Sequence, residues 1–219
     1  MIISIANVLD REVIDEARAE LARATFVDGK TTAGWSARLV KENLQARKTD
    51  AVARLGEKLV EKLASNDVFA LAVRPKTFTP LIFSRYGAGH AYGSHVDDAV
   101  MGGLRTDVSF TLFLADPESY DGGELVIETA GGEEHVKLPA GAVVAYPSSS
   151  LHRVAEVTRG ERLVAVGWVR SLIRDAGRRE LLFDLDTARR RLFERNGKSA
   201  DFDLLSKCTA NLIRMWAED

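Results

Sequence analysis

Apolar positions in the first third of the chain recur at helical spacing. Asp10 stands as an N-cap ahead of Val13, Ile14, Ala17 and Leu21, with Arg11, Glu12, Asp15, Glu16 and Arg18 between them. Val52, Leu55, Leu59, Val60 and Leu63 form a second stripe, and Asp28-Gly29 marks a turn between the two. From about residue 76 the period becomes two: Thr106, Val108, Phe110, Leu112 and Leu114 alternate with Asp107, Ser109, Thr111 and Phe113. Short β-rich runs follow at Leu125–Ile127, His135–Leu138, Val143–Tyr146, Arg153–Val157 and Leu163–Val169. Gly- and Pro-bearing turns separate them, which predicts a β-sandwich or barrel. After residue 171 helical spacing returns in Leu181, Leu182, Leu185, Ala188 and Leu192. It returns again in Leu204, Leu205, Leu212, Ile213 and Trp216, with Asn196-Gly197 as the break. The expected build is a mostly β core with flanking helices (α+β). An N-terminal helical segment over 1–76 packs on a β core over 77–172, and a C-terminal helical extension occupies 173–219. No linker-like stretch divides them, so one compact unit is expected.

Composition narrows the class. With 219 residues, 46% hydrophobic and 28% charged, the chain has enough apolar material for a core and is not of a disordered type. Lys and Arg number 30 against 32 Asp and Glu, a formal charge of -2, which argues against nucleic acid as the main partner. The start, MIISIANVLDREV, has no basic leader, and no apolar run approaches the ~20 residues of a spanning helix. No membrane association and a cytoplasmic location are therefore expected. The single cysteine, Cys208, cannot form an internal disulfide and reads as a packed thiol.

Candidate chemistry centres on the histidines. His95-Val96-Asp97 puts an imidazole and a carboxylate on one face of an extended segment, about 6–7 Å apart along the backbone. His152 lies 55 residues later, at the start of a further strand. Two histidines and one carboxylate are the donor set of the facial triad, which holds Fe(II) and leaves coordination positions open. The tripeptide alone is a weak signal. Arg162 strengthens it, because it shares parity with Val164, Val166 and Trp168. If those face inward, a buried guanidinium needs an anion, either an internal carboxylate or a bound one. An edge strand with Arg162 turned outward is the other alternative. Tyr92, three residues before His95, has a phenol that could donate to a carboxylate. His135 reads as part of a solvated hairpin strand, His90 has no partner at ligand spacing, and Arg189-Arg190-Arg191 reads as a solvated helix face.

At these residues a resemblance emerges. His95-x-Asp97, His152 and Arg162 resemble the Fe(II)/2-oxoglutarate-dependent dioxygenases of the prolyl 4-hydroxylase type. The stretches VDGKTTAGWSARLVKENLQ, FSRYGAGHAYGSHVDDAV, RTDVSFTLFLADPESYDGGELVIE and LPAGAVVAYPSSSLHRVAEVTRGERLVAVGWVRS, with the closing NLIRMWAE, are similar to bacterial PKHD-type hydroxylases over nearly the whole chain. The resemblance implies a double-stranded β-helix (jelly roll), with His95, Asp97 and His152 holding Fe(II). Arg162 would anchor the distal carboxylate of 2-oxoglutarate with Tyr92 as a helper. It also implies O2 as co-reactant, L-ascorbate as a reductant, and a link to bacterial iron homeostasis. The reaction implied is hydroxylation of an unactivated C–H with release of succinate and CO2, on a small-molecule or peptidyl substrate that the motif does not name. Two alternatives remain on the residues alone. One is a cupin-like metal enzyme that uses no oxo acid. The other is a metal- or ligand-sensing binding module whose terminal helices form a partner or homo-oligomer contact. The segment with Trp35 and Asn43, outside the β core, is the expected shaper of a substrate pocket.

Overall fold

The computed structural model describes residues 1–32 and 34–218. Its centre is a pair of antiparallel sheets. Among the described residues the larger sheet has eight strands, in the order Ile3–Ile5, Val143–Pro147, Val108–Phe113, Arg162–Ser171, Ile82–Tyr86, Leu44–Ala46 and Phe26–Asp28, with Pro75–Phe78 also paired to Arg162–Ser171. The smaller sheet runs Gly132–Val136, Leu125–Thr129, His152–Val154, Ala91–His95 and Lys41–Glu42. Strands adjacent in space are distant in sequence, as in the jelly-roll architecture the resemblance implied.

Five helices flank the sheets among the described residues: α1 (Arg11–Arg23), α2 (Asp50–Ser65), α3 (Asp67–Val73), α4 (Ala176–Asn196) and α5 (Ala200–Trp216). A side-chain oxygen caps each N-terminus by accepting a backbone N–H three residues on. The caps are Asp10, Thr49, Asn66, Asp175 and Ser199. Leu21 of α1 and Leu59 and Leu63 of α2 are fully buried, each contributing about 2 kcal/mol of transfer free energy. They share a cluster with Phe69, Phe110, Leu112, Ala165 and Val169, so the helices cover the outer face of the larger sheet. A second cluster, with Phe113, Tyr120, Ile127, Val144 and Val164, fills the space between the sheets. Consecutive residues of Arg162–Ser171 thus serve opposite layers. Leu163 and Ala165 face the helices, while Val164 faces the inter-sheet space.

The N-terminal third departs from its helical expectation. Besides its helices it supplies the strands Ile3–Ile5, Phe26–Asp28, Lys41–Glu42 and Leu44–Ala46, which extend both sheets. Two or three residues are too few for a period-two pattern to register, and pairing to longer strands holds them in place. Two smaller expectations also change. Cys208 is exposed, because α5 turns Thr209 inward at that level. The arginine run is not purely solvated: Arg189 pairs with buried Asp186 at 2.6 Å and Arg190 with Asp67 at 3.3 Å.

Candidate metal centre

Pairing of two short strands brings the first two donors together. His152 opens its strand opposite His95, the last residue of Ala91–His95. The two rings lie 4.3 Å apart, and Asp97 follows just past the strand end. Donor atoms of His95, Asp97 and His152 all fall within 4.8 Å of one another, within reach of one ion. Nδ1 of His95 donates to the Gly93 carbonyl at 2.8 Å, and Nδ1 of His152 to that of Ser150 at 3.0 Å. A carbonyl only accepts, so both rings carry their proton on Nδ1 and leave the Nε2 lone pair free for a metal. Burial, reinforced by His152, lowers the His95 pKa to about 4, so its imidazole is neutral over the physiological range. Ser109 donates to Asp97 Oδ2 at 2.6 Å, and its hydroxyl lies 2.9 Å from that of Ser148. Three protein donors of N and O type leave positions open on an octahedral ion, so the set fits Fe(II).

Arg162 begins its strand and is 1% exposed, among the most completely buried large side chains. Its guanidinium lies 5.1 Å from the Tyr86 ring centre and 5.6 Å from that of Phe113, and Tyr120 is a further neighbour. Nε has no hydrogen-bond partner, and no carboxylate stands within ion-pair distance among the described residues. Of the alternatives left open by strand parity, the structure therefore shows neither an internal salt bridge nor an outward-facing edge position. A buried cation without an anion is costly, and its planar fork suits a carboxylate. The centre and Arg162 line one cavity of about 250 Å3.

Tyr92 stacks on His95 at 3.7 Å rather than over Arg162, and its phenol is pushed up mainly by burial. Lys41 lies across from it, with Nζ 5.0 Å from the Tyr92 ring centre. Burial lowers the Lys41 pKa to about 8, against the opposing pull of Asp97 and Asp28. Asn43 lines the cavity, as expected of its segment, whereas Trp35 is 83% exposed. His135 is exposed beside Glu133, and His90 accepts the Gly87 N–H in a turn, so neither joins the centre.

Sequence reasoning missed Ser109, Ser148, Tyr86, Tyr120, Lys41 and Gln45. Two signals were present. Ser109 and Thr111 are polar side chains in a strand buried on both faces. Lys41, Asn43 and Gln45 alternate through a five-residue stretch.

The profile of the 2OG-Fe(II) oxygenase superfamily matches residues 81–170, and that of the PKHD-type hydroxylase C-terminal domain matches 176–218. A PKHD-type hydroxylase of Picosynechococcus sp. is 57% identical, with 100% of both chains covered. One of Acaryochloris marina is 56% identical over the same full extent. Among solved structures, a Pseudomonas putida prolyl-4-hydroxylase is similar at TM-score 0.54 and 23% identity, covering 78% of this chain and 92% of its own. A prolyl hydroxylase from Trichoplax adhaerens, solved with a hypoxia inducible factor peptide fragment, aligns at TM-score 0.56 and 13% identity, covering 82% and 86%. At such identities these two speak for the fold.

Proposed function

The chain belongs to the PKHD-type hydroxylases of the 2OG-Fe(II) oxygenase superfamily, and from that premise we propose that His95, Asp97 and His152 hold its Fe(II) and that Arg162 binds 2-oxoglutarate. The observation that carries this reading is Arg162. It is a buried guanidinium with no carboxylate at ion-pair distance among the described residues, facing the same cavity as the three donors. When bound, iron with 2-oxoglutarate supplies the oxidising chemistry, in which O2 and the oxo acid yield succinate and CO2 as a substrate C–H becomes C–OH.

The chain's own residues bind, orient and exclude water. Gly93 and Ser150 hold the two imidazoles in the ligating tautomer. Ser109 orients the Asp97 carboxylate by donating to Oδ2, the oxygen that also lies 3.8 Å from His152 Nε2. Arg162 pairs with the distal carboxylate, and Tyr86 and Tyr120 beside it have phenolic protons to donate to the same group. Tyr86 and Tyr146 wall this end of the cavity, with Phe113 packed beside Arg162, and their burial keeps solvent away and strengthens each of those contacts. Tyr92 serves as a wall for His95 in this reading, not as a carboxylate donor. Ascorbate use and a place in iron homeostasis remain implications of the resemblance alone.

Anaerobic calorimetry tests the assignment. The Mn(II)-loaded protein should bind 2-oxoglutarate. Arg162→Met should weaken that binding at least tenfold while metal affinity holds, and Asp97→Ala should abolish metal binding. A metal-loaded wild type that ignores 2-oxoglutarate would overturn the reading.

A further inference from the structure

Beyond the centre, the cavity has a second polar wall. Lys41 opens the strand Lys41–Glu42 of the smaller sheet, Gln45 is the middle residue of Leu44–Ala46 in the larger one, and Asn43 is the link between them. All three line the cavity, and none is more than 5% exposed. Gln45 accepts from Thr32 at 2.6 Å, and Lys41 donates to the same Thr32 hydroxyl at 3.2 Å. The other two ammonium protons of Lys41 have no acceptor among the described residues. Asp97 and Asp28 are the carboxylates that act on it, yet neither stands at ion-pair distance. Asp97 is turned to Ser109, and Asp28 takes the Lys30 N–H. Neither polar atom of the buried Asn43 side chain meets a partner at full hydrogen-bond geometry among the described residues, although the Tyr86 phenol is close enough to interact with it.

Charge makes this wall informative. In the loaded centre, the two positive charges of iron and that of Arg162 balance the Asp97 carboxylate and the two carboxylates of the oxo acid. Lys41 is then a buried cation with no carboxylate at ion-pair distance among the described residues, with Asp28 acting only from farther off and the exposed Asp98 elsewhere on the cavity lining. An unmatched buried charge is expensive, and a buried amide short of well-placed partners adds to that cost. Both costs are relieved by one ligand with an anionic head and further polar atoms. The cavity's modest size, shared with the oxo acid, admits a small molecule.

We propose that Lys41, with Asn43 beside it, is the recognition site for a carboxylate on a small-molecule substrate, and so determines which substrates the enzyme accepts. This rests on the function proposed above. The carboxylate would pair with the Lys41 ammonium, Asn43 would hold a neighbouring polar group, and the C–H to be hydroxylated would point toward the His95 side of the cavity.

The test uses the full-length protein loaded with Mn(II) and saturating 2-oxoglutarate, without O2. Butyrate, isovalerate and hexanoate are titrated against their uncharged amides, with calorimetry and the Mn(II) electron paramagnetic resonance line shape as readouts. Each acid is expected to bind at least tenfold more tightly than its amide. Lys41→Met should abolish that preference, Lys41→Arg should keep it, and 2-oxoglutarate affinity should stay within twofold in both. The acid–amide comparison in the unaltered protein requires no variant to fold. Acids and amides that behave alike, or an acid preference that survives in Lys41→Met, would overturn the proposal while leaving Arg162 and the metal ligands untouched. Tighter binding of the capped peptide acetyl-Ala-Glu-Ala-amide than of every free acid would overturn the small-molecule assignment. A protein that fails to bind 2-oxoglutarate at all would instead remove the earlier reading on which this one stands.

Discussion

Ser109 and Gly123 show how residues that touch no substrate set the two halves of the site. The Ser109 hydroxyl has one proton, which goes to Asp97, so the contact to Ser148 is one that Ser148 donates. Removing it frees the ligand carboxylate to rotate. Ser109→Ala should weaken metal binding about 10- to 100-fold in chelator competition, the usual effect of losing a partner behind a ligand. Gly123 has φ +68°, and an added Cβ would lie 2.9 Å from Val157 Cγ2 and 3.1 Å from Arg162 Cδ. Gly123→Ala should therefore lower stability by roughly 1–3 kcal/mol in urea unfolding. It should also weaken 2-oxoglutarate far more than metal, because, besides Val157, the added carbon presses on Arg162 and on the Tyr120 ring at 3.1 Å. Equal losses for both ligands would contradict that division.

At the scale of elements, α1 was legible from spacing and capping, but what fastens it to the sheet was not. Arg18 reaches across to the turn after Val108–Phe113, donating to the Leu114 carbonyl at 2.6 Å and to Asp116 at 2.9 Å. Its side chain reads as one more polar position on an amphipathic helix, and only the packed fold supplies the acceptors. The Arg18 hydrogen bond holds the Asp116 carboxyl below its ordinary value of 3.8. A depressed carboxylate stabilises the fold fully above the unfolded-state pKa and loses that contribution as pH falls through the folded-state one. Part of the wild type's stability should therefore disappear as pH drops below about 4, and Arg18→Ala should flatten that slope. The effect should be under about 1 kcal/mol because the pair is partly solvated. Denaturation midpoints measured from pH 6 to pH 2.5 check both statements.

The whole molecule is held at its C-terminal side by a buried ionic cluster. Asp186 of α4, 1% exposed, accepts from Arg74 at the end of α3 and from Arg189 at 2.6 Å. Arg179 adds hydrogen bonds at 2.7 and 2.8 Å to the carbonyls of Ile173 and Arg174, where the sheet hands over to α4. We read residues 1–76, 77–172 and 173–219 as one cooperative unit on this basis, so wild type should unfold in a single transition. Asp186→Ala takes the carboxylate from the largely buried Arg74 and the partly solvated Arg189, and should cost about 3 kcal/mol. An early phase of α4–α5 release, seen by hydrogen exchange, would be its signature. An unchanged midpoint would show that the cluster does not join the extension to the core.

The sequence alone determined the succession of helical and strand segments and singled out the candidate donors. Helical and two-residue periods reflect local geometry, so α1, α2 and the long strands were readable from the positions of apolar side chains, and the terminal helix pair was readable from its break at Gly197. His95 and Asp97 stood out as two donor types at i and i+2, and Arg162 because a cation in register with apolar side chains requires a reason. Tertiary structure alone decided which distant groups meet. The opposition of His152 to His95 depends on strand register, and the Nδ1 acceptors and Ser109 depend on side-chain packing. The Lys41–Asn43–Gln45 wall depends on strands of two and three residues that have no independent stability. Long-range pairing is chosen by the free energy of the whole fold, and no window of local sequence contains that quantity.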